Sequence, residues 1–163
     1  MRTLGVIALF GMLPTYAAEG WQVQRVVGLR YPPLAAQAQI RGVVTVSCVV
    51  GPAGAASDCT ARSGHPLLQQ VAVDNAKQWT FRKNSEESPA DTTVEIEYAF
   101  ESSGAPVHTS PLPSKFAFEF PNRAIITTAV PCPSHGPCNE EEAKMWNMGP
   151  TAKTQRVRKR AVH

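Results

Sequence analysis

The chain has 163 residues, 43% hydrophobic and 18% charged, with a formal net charge of +3, a size that suits one domain of ~100–150 residues with extra segments at both ends. The positive balance does not belong to the body, because residues 18–152 hold ten Lys/Arg against thirteen Asp/Glu while the last eleven residues add five positive charges. A basic cluster confined to a tail and lacking interleaved aromatics argues against a nucleic-acid-binding domain. No phosphate-cradling glycine loop, paired carboxylates or complete metal-ligand set points to an enzyme, a cofactor or a metal.

In chain order, Arg2 precedes an apolar run over residues 3–13, then Pro14 and Thr15-Tyr16-Ala17. This is the layout of a secretory signal, expected to be residues 1–17 and removed after Ala17. A helical membrane anchor is the rival, but a span needs about 20 apolar residues, and Pro14 and Glu19 interrupt this run. Export would place the chain in the periplasm or cell envelope, where disulfides persist.

After a lead-in with a short strand expected at Trp21–Val27, Tyr31-Pro32-Pro33 forces an extended corner and frees Leu34–Ile40 for one or two helical turns that Gly42 can end. Gly42–Val50 is rich in valine and runs into Gly51-Pro52-Ala53-Gly54, a strand entering a tight reversal. Ala55–Arg62 supplies the returning strand. If Val50 pairs with Ser57, Cys48 falls opposite Cys59, close enough to bridge. A disulfide closing this hairpin is worth about 2–3 kcal/mol in the chain-entropy model and is favoured over two thiols packing as small hydrophobes.

Ser63-Gly64-His65-Pro66 breaks the strand and opens a helix, with Pro66 at a first helical position. Leu68, Val71, Ala72, Ala76 and Trp79 recur on one face. His65 reads as a turn residue, not a catalytic one, since no acid stands at a spacing that would orient it. Trp79 and Phe81 read as core anchors, and Lys83–Asp91 as a solvated loop. Thr93–Phe100 alternates Val94, Ile96, Tyr98 and Phe100 against Thr93, Glu95, Glu97 and Ala99. The expected class is α+β: a small antiparallel sheet with a β-β-α-β core, packed against one short helix and one amphipathic helix.

Tyr31-Pro32-Pro33, Ala35, Gly42, the alternating valines, the Gly-Pro-Ala-Gly turn, Arg62-Ser63-Gly64, Leu68, Ala72 and Trp79-Thr80-Phe81 together resemble the C-terminal domain of TonB energy transducers. The resemblance implies a non-enzymatic periplasmic domain over residues 18–102. It also implies a partner, an outer-membrane TonB-dependent receptor whose extended TonB box adds to the last strand of the domain. Strand addition works because a sheet edge exposes unpaired N–H and C=O groups. The residues carried over are Thr93, Glu95 and Glu97 on that edge and Tyr31 and Pro32 at the corner. Rival readings stand beside these: glutamates that keep an edge from aggregating, and a rigid corner whose ring packs on the sheet. The family's full form also docks ExbB and ExbD through a membrane anchor and crosses the periplasm on a Pro-rich spacer. Neither reads clearly here, so an envelope structural or adaptor protein reusing the fold is the alternative.

Beyond Ser102, a C-terminal extension over 103–131 is expected to add strands at Lys115–Phe120 and Ala124–Val130, joined through Pro121-Asn122-Arg123. If one of them pairs with Thr93–Phe100, it covers the proposed receptor edge. Residues 132–163 read as a disordered Cys/basic tail. Cys132, His135 and Cys138 offer three soft ligands where structural zinc takes four, which favours an intraloop disulfide or two unpartnered cysteines. The terminal basic cluster, Lys153 to Arg160, suits weak attraction to an anionic envelope surface or a solvated tail without a role.

Overall fold

The computed structural model describes residues 20–144 apart from 87, 90, 134, 140 and 143; the expected signal segment and the terminal basic cluster lie outside the described residues. The elements are β1 (Trp21–Arg25), α1 (Pro33–Gln37), β2 (Gly42–Val50), β3 (Ala56–Ala61), α2 (Pro66–Ala76), β4 (Thr80–Lys83), β5 (Thr92–Ser102), β6 (Ser114–Glu119) and β7 (Arg123–Thr128). Five strands form one sheet in the order β3-β2-β5-β7-β6, and β1 and β4 form a separate two-stranded ribbon.

The expected α+β class holds, with β3 and β5 both antiparallel to β2 between them. β7 joins β5 in parallel, from Glu97 opposite Arg123 to Ser102 opposite Thr128, and β6 returns antiparallel on β7, so the complete sheet is mixed. The β-β-α-β outline omits β4. Thr80–Lys83 carries only four residues, too few to show a period, and its extended form depends on pairing with β1, some sixty residues earlier in the chain. The loop after it is also tied down, because the Trp21 indole N–H donates to Pro89 O.

One sheet face is covered by the helices. Val44, Val46, Cys48 and Val50 of β2, Val94, Ile96, Tyr98 and Phe100 of β5, and Ala124 and Ile126 of β7 are buried there with Leu68, Ala72, Ala76 and Trp79. At the start of α2, His65 Nδ1 accepts from Leu67 N–H at 3.2 Å, so this histidine caps the helix, as side-chain acceptors do for the free N–H groups of a first turn. α1 ends sooner than Gly42, since Gln39 has φ 54° and the helical hydrogen bonds stop there.

Inside the apolar layer lies one polar node. Asn75 Oδ1 accepts from Trp79 Nε1–H and from Tyr98 O–H, each at 3.0 Å, while Asn75 Nδ2 donates to Val27 O at 3.1 Å. The node joins α2, β5 and the lead-in segment. Burial pushes the Tyr98 phenol well above its ordinary pKa of 10.0. An unfolded phenol titrates near 10, so the contribution of neutral, buried Tyr98 is fully present below about pH 10 and is lost progressively above it. Each further pH unit lowers stability by about 1.4 kcal/mol for this one group. Unfolding free energies from denaturant titrations above about pH 10 are expected to fall on that slope, and Tyr98→Phe to remove this increment from it.

Val50 pairs with Ala56, not with Ser57, so the hairpin register near the turn is one residue off the expected one. Asp58 corrects it. At φ 45° it forms a bulge between the Val49–Ser57 and Ser47–Thr60 pairs, a conformation that Asp tolerates better than most residues. Cys48 and Cys59 therefore still meet, with Cα atoms 4.0 Å apart, and are joined by a disulfide.

Candidate functional site

β5 is an inner strand over most of its length, and this corrects the expectation of an exposed edge. β2 lies on one side from Thr92 to Phe100, and β7 on the other from Glu97 to Ser102. The pairing is non-local, so alternation within the β5 sequence could not show it.

The first half of β5 differs. Glu97 N–H donates to Asn122 O at 3.0 Å and Asn122 Nδ2 donates to Glu95 O, so odd-numbered residues of β5 turn their backbone groups away from β2, as strand alternation requires. Thr93 and the Glu95 N–H face the same way but precede the start of β7. Beside Glu95 is a cleft of ≈ 260 Å³ between the β1–β4 ribbon and the β6–β7 turn, lined by Trp21, Phe81, Val94, Glu95, Phe120 and Asn122 among others. Its rim carries Phe120, 66% exposed.

On the uncovered face, Glu97, Arg123 and Glu119 stand in a row. Arg123 Nε lies 3.0 Å from Glu97 Oε1 without the alignment of a hydrogen bond, and Arg123 Nη1 lies 3.6 Å from Glu119. All three side chains are about half exposed, so each contact is worth under about 1 kcal/mol. They orient the face more than they stabilise it.

The corner residues sit elsewhere. The Tyr31 ring is buried edge-on against Phe100 at 5.4 Å, its O–H donates to Ile40 O at 2.6 Å, and its N–H donates to Ser114 Oγ. Burial raises its phenol, a shift that Arg41 partly offsets. Tyr31 thus fastens α1 to the sheet, and half-buried Pro32 is the part of the corner that reaches the surface. Phe100 lies seven residues along β5 from Thr93, roughly 23 Å in an extended strand. The structure therefore brings Thr93, Glu95 and Glu97 together and leaves Tyr31 and Pro32 apart from them. Sequence reasoning missed Trp21, Phe120 and Asn122 as neighbours of Glu95. Only the turn character of Pro121-Asn122-Arg123 was legible, because the role of Asn122 depends on a contact across 27 residues.

Past β7, Val107 N–H donates to Val130 O and Cys132 N–H donates to Val107 O. Cys132 and Cys138 are joined by a disulfide. His108 Nε2 and the Glu142 carboxylate are 3.2 Å apart, and Glu142 Oε2 accepts from Cys138 N–H at 2.7 Å. The Cys138 N–H, followed by His108, holds the Glu142 carboxyl below its usual range.

Among the described residues, no helix is long and apolar enough to cross a membrane. Comparison with curated proteins and with solved structures gives no match. The family described as Gram-negative bacterial TonB protein C-terminal matches residues 27–101, a span that runs from the lead-in, through the hairpin and α2, to the end of β5. That family is periplasmic and transport-related, and the match supports a TonB C-terminal domain at residues 27–101 of this chain.

Proposed function

We propose that this domain is a periplasmic protein-binding module that takes an extended segment of an outer-membrane TonB-dependent receptor as an added strand, at the first half of β5. The observation that carries this reading is the cleft lined by Val94 and Glu95, in the part of β5 that precedes the start of β7. Backbone hydrogen bonds would supply the affinity, and Trp21, Phe81 and Phe120 would supply apolar contacts for alternate side chains. A segment longer than the cleft has to displace Asn122 from Glu95 and Glu97, so β7 sets the extent of pairing.

The test is amide chemical-shift mapping of the protein during titration with a synthetic receptor TonB-box peptide. Shifts are expected to centre on Thr93, Glu95 and Asn122. Thr93→Pro removes an outward N–H without cutting the β2–β5 ladder, and a net hydrogen bond of about 1 kcal/mol makes this a loss of roughly fivefold in affinity. Saturable binding that leaves β5 unshifted, or binding unaffected by Thr93→Pro, sinks the proposal.

The occupancy of β5 by β7 favours a second reading, an envelope adaptor that keeps the fold without energy transduction. A photo-crosslinker at Glu95 in intact cells separates the two: receptor adducts support the first, and adducts confined to other envelope proteins support the second. Export by residues 1–17, docking to ExbB and ExbD through an anchor, and envelope attraction through the basic tail are further parts of the proposal. Salt extraction and the mass of the mature chain test export and envelope attraction.

A further inference from the structure

The geometry points to a metal site: Cys132, Cys138 and His108, with Glu142 behind the imidazole, bind a zinc-class divalent cation when the Cys132–Cys138 bond is reduced. One ligand atom from each of His108, Cys132 and Cys138 lies within 4.8 Å of the others. Tetrahedral zinc with bonds of ~2.3 Å to sulfur and ~2.0–2.1 Å to nitrogen holds its ligand atoms roughly 3.5–3.8 Å apart, so the cluster is of the right size. The Cα atoms of the two cysteines are 5.1 Å apart, and side-chain torsions can open the sulfurs to that spacing.

The histidine that joins the sulfurs is His108, which comes from the segment after β5, and not His135 of the cysteine loop. The contacts that bring it there do not involve the disulfide. The backbone bonds joining Val107 to Val130 and Cys132 set His108 beside Cys132, and Glu142 ties Cys138 N–H to the His108 ring. The ligands therefore stay positioned once the sulfur–sulfur bond is broken. Glu142 stands 3.2 Å from His108 Nε2, so a cation held by Nδ1 leaves this carboxylate on the other ring nitrogen, the usual second partner that orients a metal-bound imidazole and raises its basicity. Two thiolates balance the charge of the divalent ion, and three protein ligands leave a fourth position to solvent.

The chemistry balances with one co-reactant. A dithiol donates two electrons and two protons to the Cys132–Cys138 bond and becomes a disulfide, and both released thiols then lose their protons to solvent as the cation enters. The oxidised loop cannot bind, so the same residues give either a disulfide or a metal clip just beyond β7. This inference is independent of how the domain meets a receptor.

The experiment uses the whole chain, reduced with a phosphine, desalted without oxygen and titrated with Co²⁺, with absorbance read for thiolate-to-cobalt charge transfer. One ion per chain is expected, displaced by Zn²⁺, with no band from the oxidised protein. His108→Ala should weaken binding tenfold or more, and Glu142→Gln roughly tenfold. Both residues lie on the surface, so neither change threatens the fold. Cys132→Ser with Cys138→Ser should abolish the band while far-UV circular dichroism stays that of the equally reduced wild type, whose Cys48–Cys59 pair is the same. A band that survives in the double variant, affinity unchanged by His108→Ala, or no band from reduced wild type overturns the inference.

Discussion

Asn75→Ala is expected to cost about 3–5 kcal/mol, enough to leave the domain largely unfolded at 37 °C if its total stability is near the low end of the ~5–15 kcal/mol range. The side chain has no apolar bulk to lose, so the effect is polar. Its Oδ1 is the shared acceptor of Trp79 Nε1–H and Tyr98 O–H, and both rings are fully buried. Removing the acceptor strands two donors where water cannot follow, at about 1–3 kcal/mol each, and the Val27 carbonyl loses its donor as well. Asn75→Asp restores an acceptor but buries a carboxyl without a cation, and should rescue little. Urea denaturation of the three proteins, with near-ultraviolet circular dichroism reporting the Trp79 environment, measures the order. A cost under about 1 kcal/mol for the alanine variant would mean that the node is not what joins α2 to β5.

Gly54→Ala should be nearly as damaging, at about 3–5 kcal/mol, despite adding a single methyl group. Gly54 has φ +79°, and a Cβ there would overlap the Phe81 carbonyl oxygen and sit against the Trp21 ring. The left-handed backbone alone costs an alanine about 1–2 kcal/mol. The overlap adds more, because it involves backbone and no rotamer relieves it. β4 must move, and with it goes the 2.7 Å bond from Phe81 N–H to Gly54 O that docks the ribbon onto the hairpin turn. Since Trp21 and Phe81 also line the cleft, the variant should weaken peptide capture along with stability. Thermal unfolding and the peptide titration together read both effects. Gly51→Ala in the same turn is the control, because a Cβ there meets nothing within 4 Å.

The alkaline slope assigned to Tyr98 ties these effects to one physical cause. A core that holds a phenol in apolar surroundings disfavours its ionised form, and Asn75 gives the neutral O–H a defined partner.

The sequence by itself determined the local elements and the family core. Valine alternation marked β2, the Gly51–Gly54 cluster its reversal, Pro66 and the 68/72/76 spacing α2, and the alternation from Val94 to Phe100 most of β5. These signals are periodic or turn-specific, and they depend on neighbours within a few residues. The Cys48–Cys59 pairing was legible because a hairpin register is nearly fixed by its turn, even though Asp58 shifted it by one. Tertiary structure alone decided what lies beside β5, where β4 belongs, and which histidine meets Cys132. Strand neighbours, a four-residue strand and a side chain brought in from 24 positions away depend on contacts between distant segments, and no local period encodes those. The same reason governs the candidate site: Thr93, Glu95 and Glu97 could be named from alternation, but how much of their edge stays open was set by β7 and Asn122.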